Sequence, residues 1–170
     1  MSRNSLKVII PLFMIAWILL IFAFSLDSAS NQKSSSVSEK IHGFISEELS
    51  GTFIGYAVSS REIDVLLRKG SHFIEYLILC IVLLTMSTIF KVKLQTSIIY
   101  ILFACLLIAN LDELLQSIVI KRSSMVSDCF IDFGGSLTGL LIFIGFKRIQ
   151  GRLKPPFSVS QEGQINDIIR

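Results

Sequence analysis

Residues 112 to 139 concentrate the side chains that could do acid–base or binding chemistry. Carboxylates, an amide and a guanidinium recur there at spacings of three, four and six residues: Asp112, Glu113, Gln116, Arg122, Asp128 and Asp132. Carboxylates transfer protons or bind cations, and an arginine can bind a carboxylate or a phosphate through two parallel hydrogen bonds. The regular spacing predicts a helix end, a short connection and a helix start whose polar faces oppose one another.

A second polar set comes from an earlier part of the chain. His72, Glu75 and Tyr76 lie three and four residues apart, which places them on one face of a predicted helix. By residue type, His72 and Glu75 are candidates for acid–base work or metal binding. The catalytic candidates are therefore His72, Glu75, Glu113 and Asp128. The ligand-binding candidates are Arg122, Asp112, Gln116, Asp132 and Tyr76.

The elements that position these residues are predicted to be membrane helices. The chain has 170 residues, of which 52% are hydrophobic and 17% charged, and its mean hydropathy is +0.68. Four apolar runs approach the roughly 20 residues that a helix needs to cross a bilayer: 8–26, 72–90, 94–111 and 129–146. None alternates apolar and polar residues as a β-barrel strand would. We expect an all-α integral membrane bundle of four transmembrane helices with an outward amphipathic segment.

The distribution of basic residues predicts the orientation of the bundle. Basic residues precede the first span, occupy the 91–93 turn and follow the fourth span. The positive-inside rule then places both termini and this turn in the cytoplasm, and it places residues 27–70 and 112–128 outside. The formal net charge of +3 is too small to indicate nucleic-acid binding. We expect the bilayer itself to be the main partner of the chain, and its oligomeric state stays open.

The outward segment before the second span predicts a loop followed by helices. Serine-rich residues 27–40 are typical of a loop, and Ser36 with Glu39 has the spacing of a helix-capping box. An apolar stripe follows at helical spacing: Val37, Ile41, Phe44 and Ile45. Such a helix would lie among the lipid headgroups or cover the outer end of the bundle. Ser59 with Glu62 forms a second capping box, whose helix leads towards the second span.

The chain therefore predicts one membrane domain, residues 1–150, followed by a mobile cytoplasmic tail, residues 151–170. Three stretches of the domain bring polar side chains to one level beneath its outer surface. Gly135 and Gly139 continue the stripe of Asp132, and this spacing permits close helix packing. We expect one outward-facing polar pocket in which carboxylates outnumber cations. Either some carboxylates are protonated, or a cation from solution lies among them.

Two classes of function remain open at this point. The pocket could bind or modify a lipid-linked headgroup, such as a cell-envelope precursor, with Arg122 on its phosphate. The chain could instead be a non-catalytic membrane factor that binds a partner, or the polar residues could only hold the helices together through hydrogen bonds. Five carboxylates at one level argue against cohesion alone, because each carries a desolvation cost that an amide or hydroxyl would avoid. The identity of any cofactor or metal stays open at this point.

Several of these segments, in this order, resemble the VanZ-like family. They are Trp17 with Phe22, Phe24 and Ser25, the serine-rich stretch through Ser38, residues 68–76, and the run from Asp112 through Arg122 to Gly139. The resemblance implies a small multi-pass protein of the bacterial cytoplasmic membrane, in a family named after a member associated with resistance to teicoplanin. It implies no established reaction. Leu115 and Ile120-Lys121 stand where the family pattern often has His and Pro-Gly.

Overall fold

The computed structural model describes residues 3–27, 30–48, 59–119 and 126–153, and these ranges form five α-helices without a β-strand. The helices are α1 (Arg3–Leu26), α2 (Ser30–Glu48), α3 (Ser60–Ile89), α4 (Leu94–Ile118) and α5 (Val126–Leu153). Four of them, α1, α3, α4 and α5, are long and apolar enough to cross a membrane. The predicted all-α fold with four spans is confirmed.

Helix α3 is the central element, since it contacts each of the other four helices. It begins at the predicted capping box, in which Ser59 and Glu62 bond each other's backbone N–H. The helix then continues through Gly70 for 30 residues, which corresponds to about 45 Å at about 1.5 Å per residue. The hydrocarbon core is only about 30 Å thick. The charged first turns of α3 therefore extend beyond a membrane-spanning part.

Helix α2 differs from its prediction. The sequence predicted a loop over residues 27–40 and a helix start at Ser36, but α2 already begins at Ser30. Serine is a modest helix former, and here tertiary contacts outweigh its propensity. The Ser34 hydroxyl donates a hydrogen bond to Asp64 on α3, and Ser38 is buried. Small side chains thus allow α2 to pack closely against α3.

The predicted apolar stripe of α2 divides between two environments. Ile41 and Ile45 are half-buried, whereas Val37 and Phe44 are 47% and 66% exposed. A helix that covers the bundle with one edge and presents apolar side chains on the other suits the boundary between protein and lipid.

The turn between α3 and α4 is a Schellman motif. The N–H of Val92 donates to the carbonyl of Ser87 at 2.9 Å, and the N–H of Lys91 donates to the carbonyl of Thr88 at 3.2 Å. Lys91 adopts a positive φ of 58°. The motif ends α3 at Ile89, and α4 begins at Leu94. This short reversal of the chain makes α3 and α4 antiparallel neighbours.

Ten buried residues from α1, α3, α4 and α5 form the apolar core: Ile21, Tyr76, Leu79, Cys80, Leu84, Ile101, Cys105, Ala109, Leu140 and Phe143. Large apolar side chains are exposed on the outer faces of the same helices. In water such a surface would be unfavourable, but it is the surface that lipid tails solvate. At the C-terminal end α5 continues to Leu153, and residues 154–170 of the predicted tail lie outside the described residues.

Helices α3 and α5 approach closely where α5 carries glycine. A Cβ on Gly135 would overlap the carbonyl oxygen of Phe73, and a Cβ on Gly139 would lie 2.6 Å from the carbonyl oxygen of Leu77. Neither contact is tolerated by a real side chain. The backbones can therefore touch only because both positions lack a Cβ atom.

Substitution of Gly135 by alanine should destabilise the bundle by about 1–3 kcal/mol, the usual cost of overpacking. The matched control is Gly145→Ala in the same helix, because nothing lies within 4 Å of a Cβ there. The measurement is the thermal unfolding midpoint of the detergent-purified protein. Equal midpoints for the two variants would show that the α3–α5 contact does not require glycine.

Candidate functional site

A buried cluster joins α3, α4 and α5 through three side chains: His72, Asp112 and Asp132. Nδ1 of His72 lies 3.6 Å from Oδ2 of Asp112 and 3.5 Å from Oδ1 of Asp132. Both carboxylates are completely buried, and the histidine side chain is 14% exposed. Each of the three side chains offers one nitrogen or oxygen atom, and these atoms all lie within 4.8 Å of one another. At that spacing the three atoms could hold one metal ion.

Asp112 is positioned by donors from two further places. The hydroxyl of Ser25, at the end of α1, donates a hydrogen bond to Oδ1 of Asp112. Nε2 of Gln116, one turn further along α4, donates to Oδ2 at 3.0 Å. Hydrogen bonds to a charged group are the stronger class in proteins. These bonds fix the orientation of the carboxylate and connect α1 to the cluster.

Asp132 and Tyr76 lack such donors. Neither carboxylate oxygen of Asp132 has a hydrogen-bond partner among the described residues, and neither does the hydroxyl of Tyr76. Tyr76 is fully buried, and it lies four residues after His72 on the same face of α3. Buried polar atoms are bonded in most proteins. Both are thus buried polar groups that receive no hydrogen bond from the described residues.

The remaining predicted site residues surround this cluster or lie apart from it. Glu113 is buried next to Asp112, and Glu75 is half-buried on α3. Asp128 forms an ion pair with Lys69, with 3.6 Å between Oδ1 and Nζ. Arg122 lies outside the described residues.

A cavity of about 380 Å³ opens beside the cluster, between α1, α2 and α3. Its wall combines polar and apolar side chains: Phe24, Ser25, Asp27, Ser34, Val37, Leu67, Arg68, Ser71, His72 and Glu75. His72 belongs both to this wall and to the cluster, and Ser25 lines the wall and donates to Asp112. The cavity and the cluster are therefore neighbouring parts of one site.

Ser25 and Arg68 belong to this site but were not among the site residues that the sequence predicted. Arg68 precedes His72 by four residues, so helical spacing alone would have placed it on the same face of α3. Ser25 is a single hydroxyl at the end of an apolar run, and its partner Asp112 is 87 residues away. No local pattern predicts that contact.

Comparison with known proteins agrees with the fold. The sequence profile of the VanZ/LLP1 family matches residues 10–148. The chain belongs to the VanZ/LLP1 family. Neither a curated protein nor a solved structure matches it. Together with the four apolar helices, the family assignment makes the chain a VanZ-like multi-pass membrane protein.

Substitution of Ser25 by alanine should destabilise the protein by about 1.5–3 kcal/mol, because a buried carboxylate then loses a charge-assisted hydrogen bond. Ser117→Ala is the matched control, since Ser117 is exposed and, among the described residues, bonds only the carbonyl of Leu114. Its effect should stay within about 0.5 kcal/mol. Thermal unfolding in detergent measures both variants. A Ser25→Ala variant as stable as Ser117→Ala would contradict the role of Ser25.

Proposed function

We propose that this VanZ-like membrane protein binds the headgroup of a cell-envelope lipid in the cavity between α1, α2 and α3. The observation that carries the proposal is the mixed wall of the cavity, in which a guanidinium and an imidazole, together with the carboxylates of Asp27 and Glu75, lie beside aromatic and aliphatic side chains. A lipid has the matching arrangement, an anionic headgroup joined to an apolar chain. The volume of the cavity, about 380 Å³, also lies within the usual range of small-molecule sites.

Arg68 is the cation that would bind an anionic headgroup here. Its Nε lies 3.4 Å from Oδ2 of Asp64, and the pair is partly exposed. A guanidinium has five N–H donors, so an ion pair through Nε leaves its other donors for a phosphate. The hydroxyl of Ser71 and the ring of His72 lie along the same wall. In this proposal Arg122 supplies a second cation for the headgroup.

The orientation proposed for the bundle places the cavity at the outer face of a bacterial cytoplasmic membrane, with both termini in the cytoplasm. His72 lies about 26 Å along α3 from the α3–α4 turn, at about 1.5 Å per residue. That turn carries Lys91 and Lys93, which the positive-inside rule assigns to the cytoplasm. A headgroup in the outer leaflet, such as that of a lipid-linked envelope precursor, would then reach the cavity.

The proposal is one of binding, and the cavity also holds groups suited to acid–base chemistry. His72 and Glu75 line it, whereas Glu113 and Asp128 do not. A reaction on a bound headgroup would therefore use His72 or Glu75 first, because a general acid or base must reach the proton that it transfers.

Substitution of Arg68 by glutamine should reduce the anionic lipid that copurifies with the protein by about tenfold, since loss of one charge-assisted contact costs about 1.4 kcal/mol or more. Arg61→Gln is the matched control, because Arg61 is on the same helix and does not line this cavity. Arg122→Ala tests the second cation. Lipids are identified by mass spectrometry after detergent purification. Identical lipid profiles for wild type and Arg68→Gln would contradict the headgroup pocket.

A second function is that of a non-catalytic membrane factor whose polar residues hold the helices together or bind a partner. The buried hydrogen bonds of Asp112 favour this function.

The teicoplanin susceptibility of a bacterial host distinguishes headgroup binding from this second function. We expect the wild-type chain to change susceptibility, and Arg122→Lys or Arg68→Gln to abolish the change while the protein stays inserted and abundant. If the variants only lower its abundance, cohesion explains the polar residues.

A further inference from the structure

We propose that His72, Asp112 and Asp132 bind a divalent transition-metal ion of the zinc type where α3, α4 and α5 meet. This inference does not rest on headgroup binding, because an ion at this junction would stabilise the bundle whether or not the cavity is filled. It assigns an occupant to the cluster itself, which lies deeper than the cavity.

The spacing of the three ligand atoms fits such an ion. Nδ1 of His72 lies 3.5 Å and 3.6 Å from the two carboxylate oxygens. Two atoms that each lie about 2.1 Å from a tetrahedral ion are about 3.4 Å apart. Both distances from Nδ1 therefore suit an ion of the zinc type.

The spacing is a poor fit to hydrogen bonds alone. Nδ1 of an imidazole carries one proton at most, so it can donate to Asp112 or to Asp132 but not fully to both. Both oxygens of Asp132 lack a hydrogen-bond partner in the described part of the chain, although the residue is completely buried. The charge of a divalent ion neutralises two carboxylates, and the imidazole that binds it is neutral. The ion thereby removes the cost of burying an unbalanced charge.

Tyr76 gives an observation that is independent of the acidic residues. Its side chain is completely buried, it lies one helical turn after His72 on α3, and its hydroxyl has no hydrogen-bond partner among the described residues. A hydroxyl in that position can bond a water molecule on the ion, or a ligand oxygen. Three protein ligands leave such a fourth position in zinc sites that are open to chemistry.

The neighbours of Asp112 have the form of a second coordination shell. Ligand carboxylates in metal sites are usually held by further hydrogen bonds that orient them. Ser25 and Gln116 donate to the two oxygens of Asp112 from α1 and α4. A mixed set of one imidazole and two carboxylates suits zinc, manganese or iron better than magnesium or calcium, which prefer oxygen alone.

The test measures zinc bound to the full chain. Protein purified in detergent is stripped with a chelator, dialysed against Zn²⁺ and analysed for metal by mass spectrometry. We expect wild type to bind about one ion per chain, and His72→Gln and Asp132→Asn to lose at least tenfold in affinity. His42→Gln is the matched control, because His42 is the other histidine of the chain and lies on α2. It should bind zinc as wild type does.

A second measurement uses the wild-type protein first, so it remains informative even if a variant folds poorly. Zn²⁺ added to the stripped wild-type protein should raise its thermal unfolding midpoint, because an ion that binds only the folded state stabilises it. The rise should be absent for His72→Gln and present for His42→Gln. Zinc content in wild type no higher than in His72→Gln, or an unchanged midpoint on adding zinc, would overturn the proposal and leave hydrogen-bonded helix cohesion as the role of the cluster.

Discussion

The structure depends on the burial of carboxylates at the end of a membrane helix bundle. Asp112 and Asp132 are completely shielded from solvent, in a place where a charge without partners is costly. Asp112 meets this constraint by accepting hydrogen bonds from Ser25 and Gln116, and His72 lies at ion-pair distance from it. These three partners lie on α1, α3 and α4. The need to surround one carboxylate therefore determines how three helices meet.

The glycines of α5 bring the second carboxylate to the same place. Gly135 and Gly139 allow the backbone of α5 to touch that of α3 at Phe73 and Leu77. Asp132 lies one turn before this contact, and His72 lies next to Phe73. With a larger residue at Gly135 the two helices would separate, and the distance from His72 to Asp132 would increase with them. The packing of small residues and the chemistry of the cluster are thus a single arrangement.

The sequence predicted those parts of the protein that follow from local pattern. Run length and hydropathy predicted the four membrane helices, and three- and four-residue spacing grouped His72 with Tyr76 and Asp112 with Gln116. Helix α2 begins earlier than predicted because its serines are stabilised by contacts with α3. Helix propensities do not include such tertiary contacts. The bond from Ser25 to Asp112 joins residues far apart in the chain. Such contacts arise from packing, so they could not be predicted from spacing.

His72 connects the two parts of the site, and this limits how they can work. Its ring lines the cavity and contacts both buried carboxylates. A molecule in the cavity could bind the His72 ring, and an ion or proton in the cluster could bind the same ring. These two binding events would not be independent of each other. Each changes the affinity for the other by the same factor, since coupling between two binding sites is reciprocal. Because the carboxylates also connect α1, α4 and α5, a molecule bound to this imidazole would also be coupled to the contacts that hold these helices together.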